Sequence, residues 1–519
     1  MGGEVIWQNA DIAVPEGVGE VGLTAYKAAS YDDSVMKNWL PGIYSADAAN
    51  LPGRDTVNAR VQDLLRNDGW AHAASQKKTD QVIGHQWRLS ARPNHLALRI
   101  EPDVAADWAR QVEAHFQLWA EDESNTCDAA RHCSLAGLMA LAFRHFVVDA
   151  EALGVLLWRP ERDWATCVQI MDPMRLSNPQ NQRDTEFLRG GVEIDQDGAA
   201  HAYHFRDSHP GEWLAHRANV YSWTRVPRFT AWGRPVVVHH FDRTRAGMTR
   251  PLSIYATILK RFRMLSRYDE AELKAAIVNA ILSAYIKSPL DHTMLMEAIQ
   301  GPGQDTGVSG YHADRIAYRA KNDLRLEENV LPILYPGEEI GVVPTERPGN
   351  QFDAFEGSVL RGIASALGLS YEQLTMDWSK TNYSSARAAL IEVGKHMAAL
   401  RTAFGHHFAR PIYSAWLEEA IDKGVVALPD GAPDFHTMRS AWSACRWIGP
   451  GRGWIDPVKE AQAAKIRMEI GLSTLQDETA EQGGDWEEVA FQRARERAHY
   501  AALDLPHPED AQMPPPDDE

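Results

Sequence analysis

A short segment of the sequence contains Cys127, His132 and Cys133, three residues of the types that bind zinc. Structural zinc sites are usually built from two paired hooks such as Cys-x-x-Cys, and this spacing supplies neither hook. Free thiols, either buried or on a helix face, are therefore the preferred interpretation. A glycine-rich run at 449–453 could hold an anion on its backbone amides. The pair Asp456-Pro457 that follows is typical of a helix start, so we expect a turn there instead.

Two pairs of adjacent histidines, His239-His240 and His406-His407, are a second set of candidate ligands. Adjacent residues of a strand point to opposite faces, and adjacent residues of a helix are about 100° apart around its axis. This disfavours a site shared by both rings of a pair. We expect one core and one surface histidine in each pair, and we predict no metal and no cofactor.

The motifs of several common enzymes are missing. The sequence has no G-x-x-x-x-G-K-[ST] phosphate loop, no H-E-x-x-H helix and no G-x-S-x-G turn. The missing phosphate loop excludes an ATP-driven motor of that class. The 17 tryptophans are scattered singly, and no pair of acids can be assigned as glycosidase carboxylates. We predict that the protein is not an enzyme, with a soluble hydrolase of unidentified class kept as an alternative because catalytic groups need not be sequence neighbours.

The composition is that of an ordered globular protein, since 44% of the 519 residues are hydrophobic and 24% are charged. The formal net charge of −18 argues against a surface that grips nucleic acid throughout, because such binding depends on Lys and Arg. A conduit in which a duplex slides remains compatible, because a strongly basic wall would hinder sliding. Four cysteines are too few for a disulfide framework and favour a reducing cytoplasm. The sequence lacks a long apolar run and an N-terminal signal pattern, so no membrane association is expected.

The first half of the chain combines helical and strand periodicity, which predicts an α+β body. Residues 1–50 have little periodicity and predict an extended arm. Helices are predicted over 55–70, 71–83, 102–119 and 128–150. Strands are predicted at 87–89, 96–100, 153–158 and 166–171, and an Asp-Gly pair predicts a hairpin over 191–205.

Helical periodicity dominates the second half. An uninterrupted helix is predicted over 251–288, and Pro and Gly then break 289–350 into loops and short strands. Helices are predicted again over 352–367 and from 384 to about 420, with a polar link at 374–383 between them. Further helices are predicted after Asp456, with Ser473 and Asp485 as caps. The tail after Leu505 is acidic, lacks Lys and Arg, and is predicted to be disordered.

Three blocks, in matching order along roughly residues 50–500, resemble the lambda-type portal proteins of bacteriophages. The first is Leu64-Leu-Arg-Asn67 followed by Val82-Ile-Gly84. The second joins the hairpin, the strand end Val237-Val-His-His-Phe241 and an arginine-flanked loop to Glu272-Leu-Lys-Ala-Ala276, with Thr249-Arg250 where many members have Arg-Gly. The third is the most specific and contains Leu334-Tyr-Pro-Gly-Glu-Glu339, Leu360-Arg-Gly-Ile-Ala364 and Asn382-Tyr-Ser-Ser-Ala-Arg387.

The resemblance implies a helix-rich α+β portal fold with an α/β wing, long stem helices, a clip insertion and a C-terminal helical crown. On that pattern, residues 1–50 are an N-terminal arm, 51–250 the wing, 251–289 a stem helix and 290–350 the clip-containing segment. Residues 351–372 are a second stem helix that returns to the wing, and 373–383 are a tunnel loop. The remaining regions are the long wing helix and wing remainder at 384–450, the crown at 451–504 and the acidic tail at 505–519.

The resemblance also implies a function. It implies a portal, or head–tail connector, whose copies form a ring, usually a dodecamer, at one capsid vertex around a channel for double-stranded DNA. This ring would nucleate head assembly, dock the terminase large subunit, conduct DNA during packaging and ejection, and contact the major capsid protein and a head–tail adaptor protein. The implied location is the virion, after synthesis in the host bacterial cytoplasm. Another structural capsid or scaffold subunit is the alternative.

The tunnel loop and the first stem helix supply the candidate DNA contacts. From Lys380 to Arg410 five cations accompany the single acid Glu392. If Lys380, Asn382 and Arg387 face the channel, sequence-blind phosphate contacts are expected from them. The candidate channel residues are Met376, Trp378, Lys380, Asn382, Tyr383 and Arg387, and the stem cations are Lys260, Arg261, Arg263 and Arg267. The alternatives are that Asn382 caps the next helix, that Tyr383 belongs to the core, and that the cations face solvent or a neighbouring subunit.

Overall fold

The structure is a computed structural model, which describes residues 27–29, 33–85, 87–212, 220–281, 285–287, 317–318, 320–321, 339–341, 349–451, 453 and 456–508. These residues form an α+β fold in which helices predominate over small antiparallel sheets. The predicted fold class is thereby confirmed. The first part of the predicted arm, most of the clip-containing segment and the acidic tail from 509 lie outside the described residues.

Helices make up most of the described residues before the first long strand. They are α1 (Ala46–Asn67), α2 (Gly69–Val82), α3 (His95–Leu98), α4 (Pro102–Ala120) and α5 (Leu135–Asp149). Asp68 separates α1 from α2, because its side chain accepts a hydrogen bond from the Ala71 amide at 2.9 Å and caps the second helix. The predictions of helices over 55–70, 71–83 and 102–119 are confirmed, although α1 begins earlier than predicted.

Two predictions in this region are wrong. The alternating residues at 96–100 belong in part to the short helix α3, because the Asn94 side chain caps its first turn and favours helical backbone. The helix predicted from 128 begins only at 135. The Asp128 carboxylate accepts hydrogen bonds from backbone amides within 130–133 at 2.8–3.1 Å, which holds that segment in a turn.

The strands form antiparallel sheets. β1 (Arg88–Ala91) pairs with β11 (Cys445–Ile448), and a three-stranded sheet has the order β3 (Thr166–Met171), β2 (Glu151–Trp158), β8 (Val237–Phe241). A four-stranded sheet contains β4 (Leu188–Arg189), β5 (Val192–Ile194), β6 (Ala200–Arg206) and β7 (Trp223–Pro227) in sequence order. The predicted hairpin is confirmed as β5–β6, with Val192 opposite Tyr203 and Gly198 at φ +81° in its turn.

The chain from Pro251 does not form the single long helix that was predicted over 251–288. A tight turn at Ile254–Thr257 precedes α6 (Leu259–Ile281), and the chain is a strand again at β9 (Tyr285–Lys287). β9 pairs antiparallel with β10 (Glu339–Gly341), with Lys287 opposite Glu339. The helix stops because a partner strand far along the sequence recruits residues whose apolar spacing alone would have continued it.

The helices that follow are α7 (Gly349–Leu367), α8 (Tyr371–Thr375), α9 (Tyr383–Phe404), α10 (Arg410–Asp422) and α11 (Arg439–Trp442). Of these, α9 and α10 form one continuous helical rod. The helix predicted from 384 to about 420 is confirmed as α9 and α10, joined by one wider π-type turn at Gly405–Ala409. At Gly405 a Cβ atom would lie 2.8 Å from the Trp447 ring, so the absence of a side chain permits this close approach.

The main hydrophobic core lies where α4 and α5 meet the rod. Its centre is aromatic, with Phe116 5.0 Å from Trp416 and Trp108 4.7 Å from Trp442 between ring centroids. A smaller core between the two larger sheets includes Tyr203. Burying a large apolar side chain stabilises a fold by about 1.5–3 kcal/mol, so this aromatic centre fixes the rod against the α+β body.

A buried ionic cluster joins the sheets, α1 and the approach to α6. The Glu151 carboxylate is bound by the guanidinium groups of Arg54 and Arg250, and the His239 ring lies 2.9 Å from it. Burial alone would raise the pKa of Glu151, but the two arginines and His239 hold it well below its usual range. The carboxylate therefore stays charged and forms ion pairs with the buried guanidinium groups of both Arg54 and Arg250.

The C-terminal helices α12 (Pro457–Glu469), α13 (Leu475–Glu481) and α14 (Trp486–Ala502) form a separate layer. Asp456 and Asp485 cap α12 and α14 as predicted, whereas α13 is capped by Thr474 and not by Ser473. Neither α12 nor α14 has a buried residue. Among the described residues, no helix combines the length and apolar character needed to cross a bilayer.

Candidate functional site

The predicted tunnel loop begins with a short helix. α8 occupies Tyr371–Thr375, so irregular backbone is confined to 376–382. The side chain of Ser370 accepts from the Gln373 amide and the side chain of Gln373 accepts from the Ser370 amide, both at 3.2 Å. Leu374 is buried in the main core. The loop is thus anchored at its first end by a capping box and a core side chain.

Local hydrogen bonds shape the rest of the loop. Met376 has φ +58°, which turns the chain at the end of α8. The Asp377 carboxylate accepts from the Ser379 amide at 3.0 Å, and the Thr381 hydroxyl donates to Glu372 at 3.1 Å. These contacts fold the loop back on its own supporting helix, so its side chains project from a defined backbone.

Asn382 closes the loop. Its side-chain oxygen accepts from the Ser385 amide at 2.8 Å and caps α9. The alternative interpretation of Asn382 as a helix cap is therefore correct, and its amide oxygen is committed to the backbone. Tyr383 is exposed and not a core residue, which rules out the alternative for that side chain. Met376 and Arg387 are also exposed, and Trp378 is 37% exposed.

Lys380 reaches back to α7. Its ammonium lies 3.0 Å from the Asp353 carboxylate, and both side chains are 77% exposed. The hydrogen bond and charge of Asp353 raise the pKa of Lys380. An ion pair so exposed is weak and easily exchanged. The Lys380 charge therefore remains available to an external phosphate, which competes with a single exposed carboxylate.

The turn of α7 that contains Asp353 also packs on α6. Tyr268 of α6 stacks on Phe352 with ring centroids 5.5 Å apart, and it lies 4.9 Å from Phe355. Asp353, which pairs with Lys380, and Phe352, which packs on α6, are thus neighbours on one turn of α7. Asp353 could not be identified from the sequence, because it is 27 positions from Lys380 and no motif links the two residues.

The loop also lies near the C-terminal layer. Lys459 at the start of α12 lies near Tyr383 and Arg387. Its nearest partner is Asp456, at 3.0 Å, and that carboxylate raises the pKa of Lys459, whereas the positive charge of Arg387 opposes this shift. Arg387 and Lys459 therefore extend the cationic character of the loop onto α12. No motif in the sequence links Lys459 to the loop.

The four stem cations do not act as one group. Lys260, Arg263 and Arg267 are exposed and lie within about 60° of one another around α6. Arg261 points elsewhere, because its guanidinium lies directly over Gly362 of α7. Three of the four candidates therefore share a solvent-facing stripe, and the fourth belongs to the contact between the helices.

The thiols and histidines considered as ligands are used structurally. Cys127 contacts the carbonyls of Ala120 and Cys133, and all four cysteines are free. The expectation of one core and one surface histidine is wrong for both pairs. His239 and His240 are both buried because other elements cover each face of β8, and His406 and His407 are both exposed on the wider turn.

One group in the described part of the chain has the spacing of metal ligands: Glu418, Asp422 and His436. Glu418 is already neutralised, because Arg439 lies 2.8 Å and Arg234 3.5 Å from its carboxylate. A cation would have to displace both arginines. The cluster is therefore better explained as an ion-pair network that holds α10.

Comparisons with known proteins agree with the resemblance of the three sequence blocks. A family model described as "Phage portal protein, lambda family" matches residues 32–401. The portal protein of Escherichia phage N15 is 35% identical over 480 residues, which are 91% of this chain and 89% of that protein. Portal protein B of Escherichia phage lambda is 34% identical with the same coverage. A probable portal protein of Halomonas phage phiHAP-1 is 24% identical over 91% of this chain and 86% of its own length.

Solved structures from gene transfer agent (GTA) particles are also similar. A chain from the neck of the native particle with C12 symmetry is 11% identical, with a TM-score of 0.43 over 84% of this chain and 99% of that one. A chain from the neck of the empty particle is 12% identical, with a TM-score of 0.46 over 84% and 95%. These likenesses are too weak to carry the assignment, which rests on sequence. Since the family model matches well over half of the chain and two relatives are at least 34% identical over 91% of it, the chain belongs to the lambda family of phage portal proteins.

Proposed function

We propose that the chain is the subunit of a portal ring that conducts double-stranded DNA through its axis during packaging and ejection, without catalysing a reaction. The observation that carries the proposal is the loop 376–382, which is fixed at both ends yet exposes Trp378 and Lys380, with Tyr383 exposed beside them at the start of α9. Aromatic rings narrow a channel, and a cation with only a weak partner makes brief contacts with phosphates of any sequence.

The charge distribution suits a duplex that slides. The chain has a formal net charge of −18, so most of its surface repels DNA. Local cations are concentrated at Lys380, Arg387 and Lys459 around the loop and on the exposed stripe of α6. Few phosphate contacts at a time mean weak binding, which permits movement along the axis. We propose both regions as channel-facing surfaces, with the loop as the narrower one.

Exposed apolar residues support assembly into a closed ring. Outside the core, α6 exposes Met264, Leu273 and Ile277, and α12 exposes Val458 and Ile466. A cyclic ring needs two different faces on each subunit, and parallel long helices can supply both. We propose twelve copies, with 51–250 and 384–450 as wing, 251–289 and 351–372 as stem, 290–350 as the clip-containing segment, 373–383 as tunnel loop and 451–504 as crown.

The proposed partners follow from this position in the virion. They are the major capsid protein, the terminase large subunit, a head–tail adaptor and DNA. Electron microscopy of the purified protein tests the ring directly. Annular particles with a central hole of duplex width are expected, and a monodisperse monomer in light scattering at micromolar concentration would contradict the proposal.

The channel role of the loop is tested by Lys380→Glu in the phage. We expect shorter packaged genomes and infectivity reduced at least several-fold, because the exposed charge is reversed where phosphates pass. Lys395→Glu is the matched control, since Lys395 is also an exposed lysine with one carboxylate partner, on α9. Normal packaging and infectivity in Lys380→Glu would exclude a channel role for this residue.

A further inference from the structure

A cavity of about 410 Å³ lies where α2, α5, α7 and α9 meet. Its wall is mainly apolar and includes Phe146, Leu367 and Leu400. The cavity is open to solvent on one side, so a chain segment can enter it. Neither the loop 376–382 nor the α6 stripe contributes to its lining.

Lys78 of α2 lines this cavity and is only 4% exposed. Burial lowers the pKa of Lys78 to about 8. Among the described residues it forms neither an ion pair nor a hydrogen bond that would offset this burial. Asp242 also lines the cavity, but its side chain is exposed and is not paired with Lys78. His396, the other basic group of the lining, has its pKa lowered by burial and by Lys78.

A buried ammonium without a partner is costly, and a carboxylate on an apolar stem would offset that cost in this cavity. The occupant therefore has to combine negative charge with apolar side chains. It also has to reach the rim, which includes Asn50 and Thr244.

The segment that leads into α1 passes this rim. Asn50 belongs to the first turns of α1, and Arg245, next to Thr244, donates a hydrogen bond to the Tyr44 carbonyl at 3.0 Å. Everything N-terminal of Tyr44 is thus tethered beside the opening. A tethered segment binds as if at high local concentration, so modest contacts suffice.

The N-terminal segment 1–26 has the required chemistry. It contains the acids Glu4, Asp11, Glu16 and Glu20 and no Lys or Arg. The acids alternate with apolar residues such as Val5-Ile6-Trp7, Ile12 and Val14. The segment therefore complements an apolar cavity with a single buried cation.

We propose that the cavity receives the N-terminal segment 1–26, from the same copy or an adjacent one, with one of its carboxylates paired with Lys78 and its apolar residues on the cavity wall. The segment then fills the junction of four helices and offsets the isolated charge. This function is independent of the DNA channel.

Trypsin tests the proposal on the full-length protein, because Lys27 is the first tryptic site and cleavage there releases the whole segment. We expect slow cleavage in the wild type and about tenfold faster cleavage in Lys78→Met, because loss of the ion pair frees the segment. Lys77→Met is the matched control on the same helix and should cleave as slowly as the wild type. Equal rates in all three proteins would overturn the proposal.

A second variant avoids any change in the body of the protein. Replacing Glu4, Asp11, Glu16 and Glu20 by their amides should also accelerate cleavage after Lys27.

Carbodiimide cross-linking of the wild-type protein, with isotope-labelled and unlabelled copies mixed, identifies the partner of Lys78 by mass spectrometry. A cross-link to one of the four acids supports the proposal and shows whether it comes from the same copy, whereas a cross-link from Lys78 to an acid outside 1–26 rejects it.

Discussion

Glu151 and Arg250 face each other inside the protein, with side-chain exposures of 0% and 2%. Arg250 also donates to the carbonyls of Pro173, Leu176 and Gly190 at 2.6–2.9 Å. Arg250 comes just before the turn that leads into α6. Its side chain therefore connects that part of the chain to loops of both larger sheets. The junction between the sheets and the long helix depends on this contact.

Arg250→Met is expected to lower the free energy of unfolding by about 3–5 kcal/mol, because it leaves a buried carboxylate without one of its two cations. Urea unfolding followed by tryptophan fluorescence measures the change. Arg225→Met is the control: Arg225 pairs with Glu193 at 2.6 Å but is half exposed, so its loss should cost less than about 1 kcal/mol. Similar losses for the two variants would show that the buried pair has no special role.

Glu113 gives a prediction of pH dependence. Burial raises the pKa of Glu113 to about 7, with a further contribution from Asp485, Glu487 and Glu488, while the Ala91 amide donates to it at 2.6 Å and opposes the shift. The pKa of Glu113 is therefore higher in the folded state than in the unfolded state. At pH values between these two pKa values, the folded state binds more protons than the unfolded state. The stability contribution of this group therefore falls as pH rises from about 4.5 to about 7.

Glu113→Gln should consequently stabilise the protein at pH 8 by roughly 1–3 kcal/mol, a range already reduced for partial solvent screening. At pH 4.5 the same substitution should change little. Denaturation midpoints at the two pH values test this. A substitution effect that is the same at both pH values would mean that Glu113 titrates normally.

The sequence predicted the helices that carry a continuous apolar stripe, such as α9, because periodicity is a local property. It failed where a distant partner decides the structure. Tyr285 continues the apolar spacing of α6 but pairs with residues near Glu339, and the alternation at 96–100 is overridden by the cap at Asn94. Neither competing interaction is visible from nearby residues.

The C-terminal layer should detach from the body at high salt. The ion pairs that hold it are Arg88–Glu488 at 2.7 Å, Arg446–Asp477 at 2.9 Å and Arg110–Glu487 at 3.4 Å. Its apolar contribution is small, because α12 and α14 bury no residue and α13 buries Ala480 alone. Raising the salt from about 0.05 to 1 M shortens the screening length from over 10 Å to about 3 Å. Amide hydrogens of 457–502 should then exchange several-fold faster, while those of α4 should not. Salt-independent exchange would instead indicate apolar docking.

Asn382→Ala should destabilise the start of α9 by about 1 kcal/mol, because the Ser385 amide loses its acceptor. Asn382→Asp keeps the acceptor and should leave the stability nearly unchanged. Hydrogen exchange of the first turn of α9 distinguishes the two variants. Equal exchange in both would show that the loop is held without the cap.

The candidate site was predicted only in part. The resemblance placed the loop residues on one segment, and the structure shows Lys380, Tyr383 and Arg387 on its exposed side. It could not separate Arg261, which packs on Gly362, from the other stem cations, because that distinction depends on the angle between two helices. Nor could it identify Asp353 and Lys459, which reach the loop only through folding.

The pairing of β9 with β10 has a consequence for how such a protein changes over time. With Lys287 opposite Glu339, the chain leaves this strand pair and re-enters it across one interstrand spacing of about 5 Å. The strand pair therefore fixes the two ends of the segment 288–338 close together, whatever the length of that segment. A change in its length leaves the positions of β9 and β10 unaltered, so variation in this part of the sequence is separated from the packing of the helices and sheets.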